Sequence, residues 1–340
     1  MLDHLIGNQA VKDAIRRYLS TRRIPNSLLL AGPEGVGKRQ FALHLARSIV
    51  CHEPHNGEAC GRCPACSRVR EFKFPGADAK NEEYDAVFFS DHPDVGMVIP
   101  CNRTLRVGSI RALETEANYR PYEAAARVFI IDDAHRMNAA SSNALLKTLE
   151  EPPTTSHLFL VTSKPNALLP TIRSRVQTLR FGPVAASEIE HLLLTTHEYS
   201  QSDAHLVASS TNGSVAAALA INAGEFRDRR NEAVEILRSA IVNRDVVDLL
   251  KRSEKIGGIK STPEYEAFLD VLQTLIHAVW AARIDRELTV DEDIRTLAEN
   301  ADLDDLSTWL SRIEEIRGTL GVNINKKIAS DSLMVRMVAG

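Results

Sequence analysis

Residues Gly32 to Arg39 read G-P-E-G-V-G-K-R. Glycines at this spacing let backbone N–H groups turn inward around phosphate oxygens, and the Lys adds a point charge. The full pattern ends in Ser or Thr, whose hydroxyl holds Mg²⁺. Here Gly32, Gly35, Gly37 and Lys38 keep the cradle, whereas Arg39 has no atom that can ligate a cation. A second acidic locus, Asp132-Asp133, ends the apolar run that starts at Arg127. That is where a carboxylate organises Mg²⁺ beside a phosphate loop. In hydrolysing proteins of this layout the second residue is usually Glu, which positions the attacking water. Asp133 is one methylene shorter, so its oxygens fall about 1 Å short, a displacement worth about 10²-fold in rate. The pair also suits a helix N-cap. Loop and pair together predict a pocket that admits ATP or ADP but lacks part of the hydrolysis chemistry.

Cys51, Cys60, Cys63 and Cys66 form C-x8-C-x2-C-x2-C. Four thiolates at this spacing match a tetrahedral structural zinc site, with Gly61 and Pro64 suiting the tight turns between ligands. A redox C-x-x-C pair is the alternative, but it would leave two cysteines without a role. Four protein ligands leave no open position, so the metal is expected to be structural. Cys101 stands apart and reads as a small apolar residue. His52, His55 and His135 are not needed as ligands and read as surface residues. Arg173 and Arg175 lie in T-I-R-S-R between two apolar runs. A loop arginine can stabilise phosphate charge for a neighbouring subunit, yet spacing alone favours a solvated or ion-paired side chain.

The elements that must position these residues alternate between strand and helix. Ser27–Ala31 is an apolar run ending at Gly32, as a buried strand feeding a phosphate loop should be, and 40–50 reads as the helix whose N-terminus faces the phosphates. Ile6, Val11, Ile15 and Leu19 place a helix within 5–22. The stretch 71–107 is loosely patterned, and helix returns at 109–119. Residues 127–133, 157–162 and 176–181 read as strands, with a helix at 139–150 ended by Glu151-Pro152-Pro153. Such alternation implies a parallel sheet covered on both faces. After Gly182-Pro183 only helical patterns remain.

At 340 residues the chain should hold two or three domains. It is 44% hydrophobic and 25% charged, the composition of a globular protein. A net charge of -4 argues against a generally basic nucleic-acid binder but permits a local basic patch. No apolar run is long enough to span a bilayer, and the start of the chain lacks a signal-peptide layout, so a cytoplasmic protein with no membrane partner is expected.

Several segments in order, I-G-N-Q-A-V (6–11), R-I-P-N-S-L-L-L-A-G-P-E-G-V-G-K (23–38), the four-cysteine insert, F-I-I-D-D-A-H-R-M (129–137), N-A-L-L-K-T-L-E-E-P-P (143–153) and R-S-R (173–175), resemble the clamp-loader branch of the AAA+ ATPases. The resemblance covers residues 1 to about 220. Further on it rests on helical character and on Val322-Asn323-Ile324-Asn325. It implies an α/β P-loop AAA+ domain over 1–182 with a zinc knuckle inserted at 51–66. A small helical lid over 183–222 and an all-α collar over 223–340 would follow. Motor members of this branch carry G-K-[ST], an Asp-Glu pair and a lid arginine in a G-S-x-R-x-A-L motif. Here Arg39, Asp133 and Ala216 replace the three, so the resemblance points to a poor or absent ATPase. On the family's Ser-Arg-Cys motif, Ser174-Arg175-Val176 makes Arg175 an arginine finger in trans, with Arg173 as a second phosphate contact. Implied partners are gamma/tau and delta clamp-loader subunits, the sliding clamp and, through the assembled complex, primer-template DNA. A gamma/tau-like motor is the first alternative. A zinc-knuckle DNA-binding protein using Arg62 and Arg68 is the second.

Overall fold

The computed structural model describes residues 2–76, 78–196, 199–259, 261–285, 290–319 and 325–339. The chain divides into two compact units, 1–185 with 213–216, and 186–212 with 217–340.

The first unit begins with α1 (Gln9–Thr21), which buries Val11, Ile15 and Leu19. Its apolar periodicity extends back to Ile6, but the helix does not. Gly7 and Asn8 both have positive φ, which breaks the helical path, and Asn8 instead exchanges hydrogen bonds with the backbone of Gly182. Then follow β1 (Ser27–Ala31), α2 (Lys38–Val50), α3 (Pro64–Arg68), β2 (Phe88–Phe89), β3 (Val95–Val98), α4 (Val107–Ala117), β4 (Arg127–Ile131), α5 (Ala139–Glu150), β5 (Ser156–Thr162), α6 (Pro170–Arg173) and β6 (Gln177–Arg180). The six strands form one sheet ordered β2-β3-β4-β5-β1-β6, parallel except for β2. Every residue of β1 and β4 is buried, as strands covered by helices on both faces require. Each buried Leu of β1 contributes about 1.5–3 kcal/mol of transfer free energy.

Strands β2 and β3 lie in the stretch that carries no clear sequence pattern. β2 is two residues long, and β3 is interrupted by Gly96. A Cβ at Gly96 would stand 2.5 Å from Val87 and 3.2 Å from the Phe129 ring, so close packing requires the residue that weakens the strand pattern.

The second unit is helical: α7 (Ala186–Thr196), α8 (Gln201–Ser210), α9 (Val215–Ala220, starting within the first unit), α10 (Ala223–Arg238), α11 (Val246–Gly257), α12 (Thr262–Ile284), α13 (Glu292–Asn300), α14 (Leu303–Thr319) and α15 (Lys326–Ala339). A π-turn over Ser239–Asn243 links α10 to α11. By length and composition α12 could cross a membrane, which the sequence pattern did not bring out. Its Phe268, Leu269, Leu272, Leu275, Ile276 and Val279 are buried inside the unit, so it is a core helix. Of Val322-Asn323-Ile324-Asn325, the first three residues lie outside the described residues.

Candidate functional site

The parallel strands bring their C-terminal ends to one edge of the sheet, and the predicted pocket residues gather there. Gly32 follows β1 directly, its N–H donating to the Thr162 carbonyl at 3.2 Å. A Cβ on Gly32 would stand 2.4 Å from the Phe181 carbonyl oxygen. Gly35 and Gly37 take φ of 77° and 91°, the left-handed geometry that curls the loop. Nothing lies within 4 Å of a Cβ built on Gly37, so the mouth of the cradle is open there. Lys38 is buried and donates to the Gly32 carbonyl at 2.8 Å and to that of Pro33. Burial pulls its ammonium pKa down, while Glu34, Asp133 and Asp132 pull it up.

Arg39 Nη1 reaches Asp132 Oδ2 at 3.4 Å, and the guanidinium carbon lies 5.6 Å from the centre of the Phe74 ring. Burial pushes the Asp132 carboxyl up, and the Arg39 charge opposes that shift. Asp133 has φ 47°, and its Oδ2 pairs with Arg136 Nε at 3.2 Å while its charge still acts on Lys38. It is the N-cap of a 3₁₀ turn at Ala134–Arg136, but its side chain makes no capping hydrogen bond. Asp132 and Asp133 are therefore adjacent in sequence but pair with different arginines.

Two features of this edge carry no clear sequence pattern. Thr162, fully buried at the end of β5, has its Oγ1 3.3 Å from His135 Nδ1. His135 is thus half-buried inside the site, not a surface residue, and burial holds its pKa down. The other feature is the segment 213–216. Ala216 N–H donates to the Gly35 carbonyl at 2.9 Å, and a Cβ on Gly35 would meet the Ser214 Oγ at 1.9 Å. Position 216, where the resemblance implies a lid arginine, meets the phosphate loop through its backbone. A polar residue closing an otherwise apolar strand was the only pointer to Thr162, and the short G-S-V-A run holds none for the backbone contact.

The four cysteine sulfurs lie within 4.8 Å of one another and could hold a metal ion. Cys51–Cys63 and Cys60–Cys66 sulfurs are both 3.8 Å apart, and Cys63–Cys66 are 3.3 Å apart. Sulfurs about 2.3 Å from a tetrahedral zinc would stand about 3.8 Å from one another. Backbone N–H groups of Cys60 and Cys63 point at the Cys51 and Cys60 sulfurs, both at 3.3 Å. Burial and the Cys63 and Cys60 sulfurs push the Cys66 thiol up to about 12, whereas at Cys63 burial is outweighed by hydrogen bonds from the backbone and from Cys66 and Cys60, which bring it down to about 6. The crowded sulfurs thus oppose one another's ionisation, which a bound cation would relieve. The residues present fit such an ion. Cys101 is apart from this group, its thiol donating to Asn81. The insert is anchored to the phosphate-loop helix: Ala59 N–H donates to Ser48 Oγ and Arg47 Nε to the Val69 carbonyl. Arg62 and Arg68 pair with Glu53 and Glu123.

Arg175 follows α6 on the surface. Its Nη2 pairs with Glu150 Oε1 at 2.8 Å, and Nη1 donates to the Thr171 carbonyl at 3.0 Å. Arg173 donates to Asn166 at 3.3 Å. Within the unit neither arginine reaches the chain's own phosphate loop by any hydrogen bond or ion pair among the described residues.

A parallel sheet that delivers a phosphate loop and an acidic strand end to one edge, and that carries a four-cysteine knuckle on the loop's helix, defines a P-loop α/β protein. A family profile described as "DNA polymerase III, delta subunit" matches residues 7–185, and the chain belongs to that family. It is 26% identical over 323 residues to DNA polymerase III subunit delta′ of Bacillus subtilis, covering 94% of this chain and 92% of that one. The Pseudomonas aeruginosa delta′ subunit is 30% identical over 213 residues, 62% of this chain and 60% of that protein. The gamma/tau subunit of Mycobacterium tuberculosis is 33% identical over 179 residues, but these span only 28% of its length. The likeness to the Bacillus delta′ subunit thus spans nearly the whole chain, whereas that to the Mycobacterium gamma/tau subunit covers 52% of it. A gamma subunit-related protein of Thermotoga maritima overlaps with a TM-score of 0.40 at 18% identity, covering 96% of this chain and 98% of that one, too loosely to argue from.

Proposed function

We propose that this chain acts in a DNA polymerase III clamp loader as a delta′-type subunit that hydrolyses little or no ATP itself and serves a neighbour's ATP site. The observation that carries the reading is Arg39 paired with Asp132, where a motor would bind Mg²⁺. The lid position contributes only the backbone of Ala216, so a second phosphate contact is also missing. Supporting the other half, Arg175 stands on the surface with its guanidinium prealigned by Glu150, ready to exchange that carboxylate for phosphate oxygens. Arg173 lies beside it as a second contact. In this reading 1–182 is the AAA+ domain, 183–222 the lid and 223–340 the collar. Gamma/tau and delta subunits are the ring partners. The assembly opens the sliding clamp and closes it on primed DNA in the cytoplasm. The metal of the knuckle is a structural zinc.

The test is ATP turnover, stimulated by clamp and primed DNA, in complexes rebuilt with wild type, Arg175→Ala or Lys38→Ala. The expected result is a fall of about tenfold or more for Arg175→Ala with the complex still assembled. Lys38→Ala should stay within about twofold. Unchanged turnover with Arg175→Ala refutes the finger, and a collapse with Lys38→Ala favours the motor reading.

A further inference from the structure

Magnesium is what a phosphate loop normally carries, held by a hydroxyl on the loop helix and by the acidic strand end. The residues present do not fit it. Arg39 stands at the hydroxyl's place in the motif, and its Nη1 lies 3.4 Å from Oδ2 of Asp132, the carboxylate that a magnesium ion would need. Two neighbours favour it there. Asp132 holds its charge, and Phe74 lies against its face. Phe74 is itself braced, stacked on Phe72 with an interplanar angle of 6° and meeting Phe88 edge-on. A divalent cation entering this space would have to displace the guanidinium and then sit beside it, both unfavourable in a partly buried setting.

The rest of the cradle still suits an anion. The glycine turns are formed, the Lys38 charge is buried beneath the loop, and open space faces Gly37. Asp133, close enough to act on Lys38, has its charge partly balanced by Arg136. A guanidinium has five N–H donors in a planar fork, enough to keep Asp132 and still grip two phosphate oxygens.

We infer that Arg39 is a tethered stand-in for the magnesium ion, and that this pocket takes a nucleoside diphosphate or triphosphate free of divalent cation. The inference rests on the reading of residues 32–39 as a nucleotide pocket and is independent of the finger assigned to Arg175. The probe is ADP, titrated calorimetrically into the full chain in millimolar magnesium and again in excess EDTA. Wild type should bind equally in both, within about twofold. Arg39→Thr, which restores a hydroxyl, should bind at least about tenfold more tightly with magnesium than without. Arg39→Gln, which keeps length and loses charge, should weaken binding in EDTA by about tenfold or more. Lys38→Ala should abolish binding, and a melting curve for each variant confirms that it is folded.

The inference is overturned if wild type needs magnesium, if it binds ADP in neither buffer, or if binding survives Lys38→Ala. It is equally overturned if Arg39→Thr remains indifferent to magnesium. Such failures, with Arg175→Ala still lowering turnover in the complex, remove only the ion-free pocket. The opposite pattern removes only the finger.

Discussion

Lys38 directs its ammonium to two carbonyls of its own loop, and those contacts hold the cradle in shape without a ligand. The glycines around it are under tighter control than their motif suggests. Gly35→Ala would combine a left-handed φ with a collision at Ser214 and should cost about 1–3 kcal/mol by urea denaturation. Gly182→Ala, with nothing within 4 Å and no positive φ, should stay within about 0.5 kcal/mol. Equal losses would contradict the packing described. His44 offers a pH test. Burial pulls its pKa down to about 4, against the pull of Glu58 Oε2 at 3.7 Å. The unfolded chain protonates this residue near pH 6.5, so it binds more protons than the folded form across the interval. Stability should therefore fall as pH drops from about 6.5 to about 4, by up to about 3 kcal/mol, and His44→Gln should flatten that slope. A wild-type stability that is level over the interval would exclude it. At this scale the sequence exposed the charged and glycine residues but not their partners. Arg39 reads as a lost metal ligand, and only folding shows that Asp132 and Phe74 receive it.

Among elements, the knuckle was the most legible, because ligand spacing in a short segment is a local property. Its attachment was not. Gly57 packs so closely on α1 that a Cβ would stand 2.6 Å from the Leu19 carbonyl, and Glu58 accepts from Arg16 of the same helix. Cys60→Ser should cut bound zinc from about one per chain to well below half, with a melting temperature lower by several degrees. Excess chelator should bring wild type to the same temperature. Full stability in the chelator would argue against a structural ion. The strands β1, β4 and β5 were plain from unbroken apolar runs, whereas β3 was hidden by Gly96 and β2 by its length. The exact start of α1 is not legible, because periodicity does not register the positive φ of Asn8.

For the whole molecule, composition announced helices after residue 183 but not how they group. Residues 186–212 partition with the C-terminal helices, and 213–216 partition with the phosphate-loop unit. These are pairings between distant segments, to which a local pattern is blind. Around the start of α11 the second unit leaves Val242, Val246, Val247 and Leu250 exposed, Val247 by 63%. On the proposed clamp-loader assembly, their cost in water would be offset by apolar faces of the partner subunits. Val247→Glu combined with Leu250→Glu should leave the isolated chain's melting temperature within a few degrees and abolish co-elution with gamma/tau and delta. Normal co-elution would relocate the contact.

The margins of the sheet carry one more consequence. On one side β2 offers two residues, and on the other β6 turns Gln177, Thr178 and Arg180 to solvent. Neither rim is a good template for an incoming β-chain, so recruitment by strand addition, and the fibre-forming accidents that go with it, are both discouraged. Partners are therefore expected to be held through helices and loops.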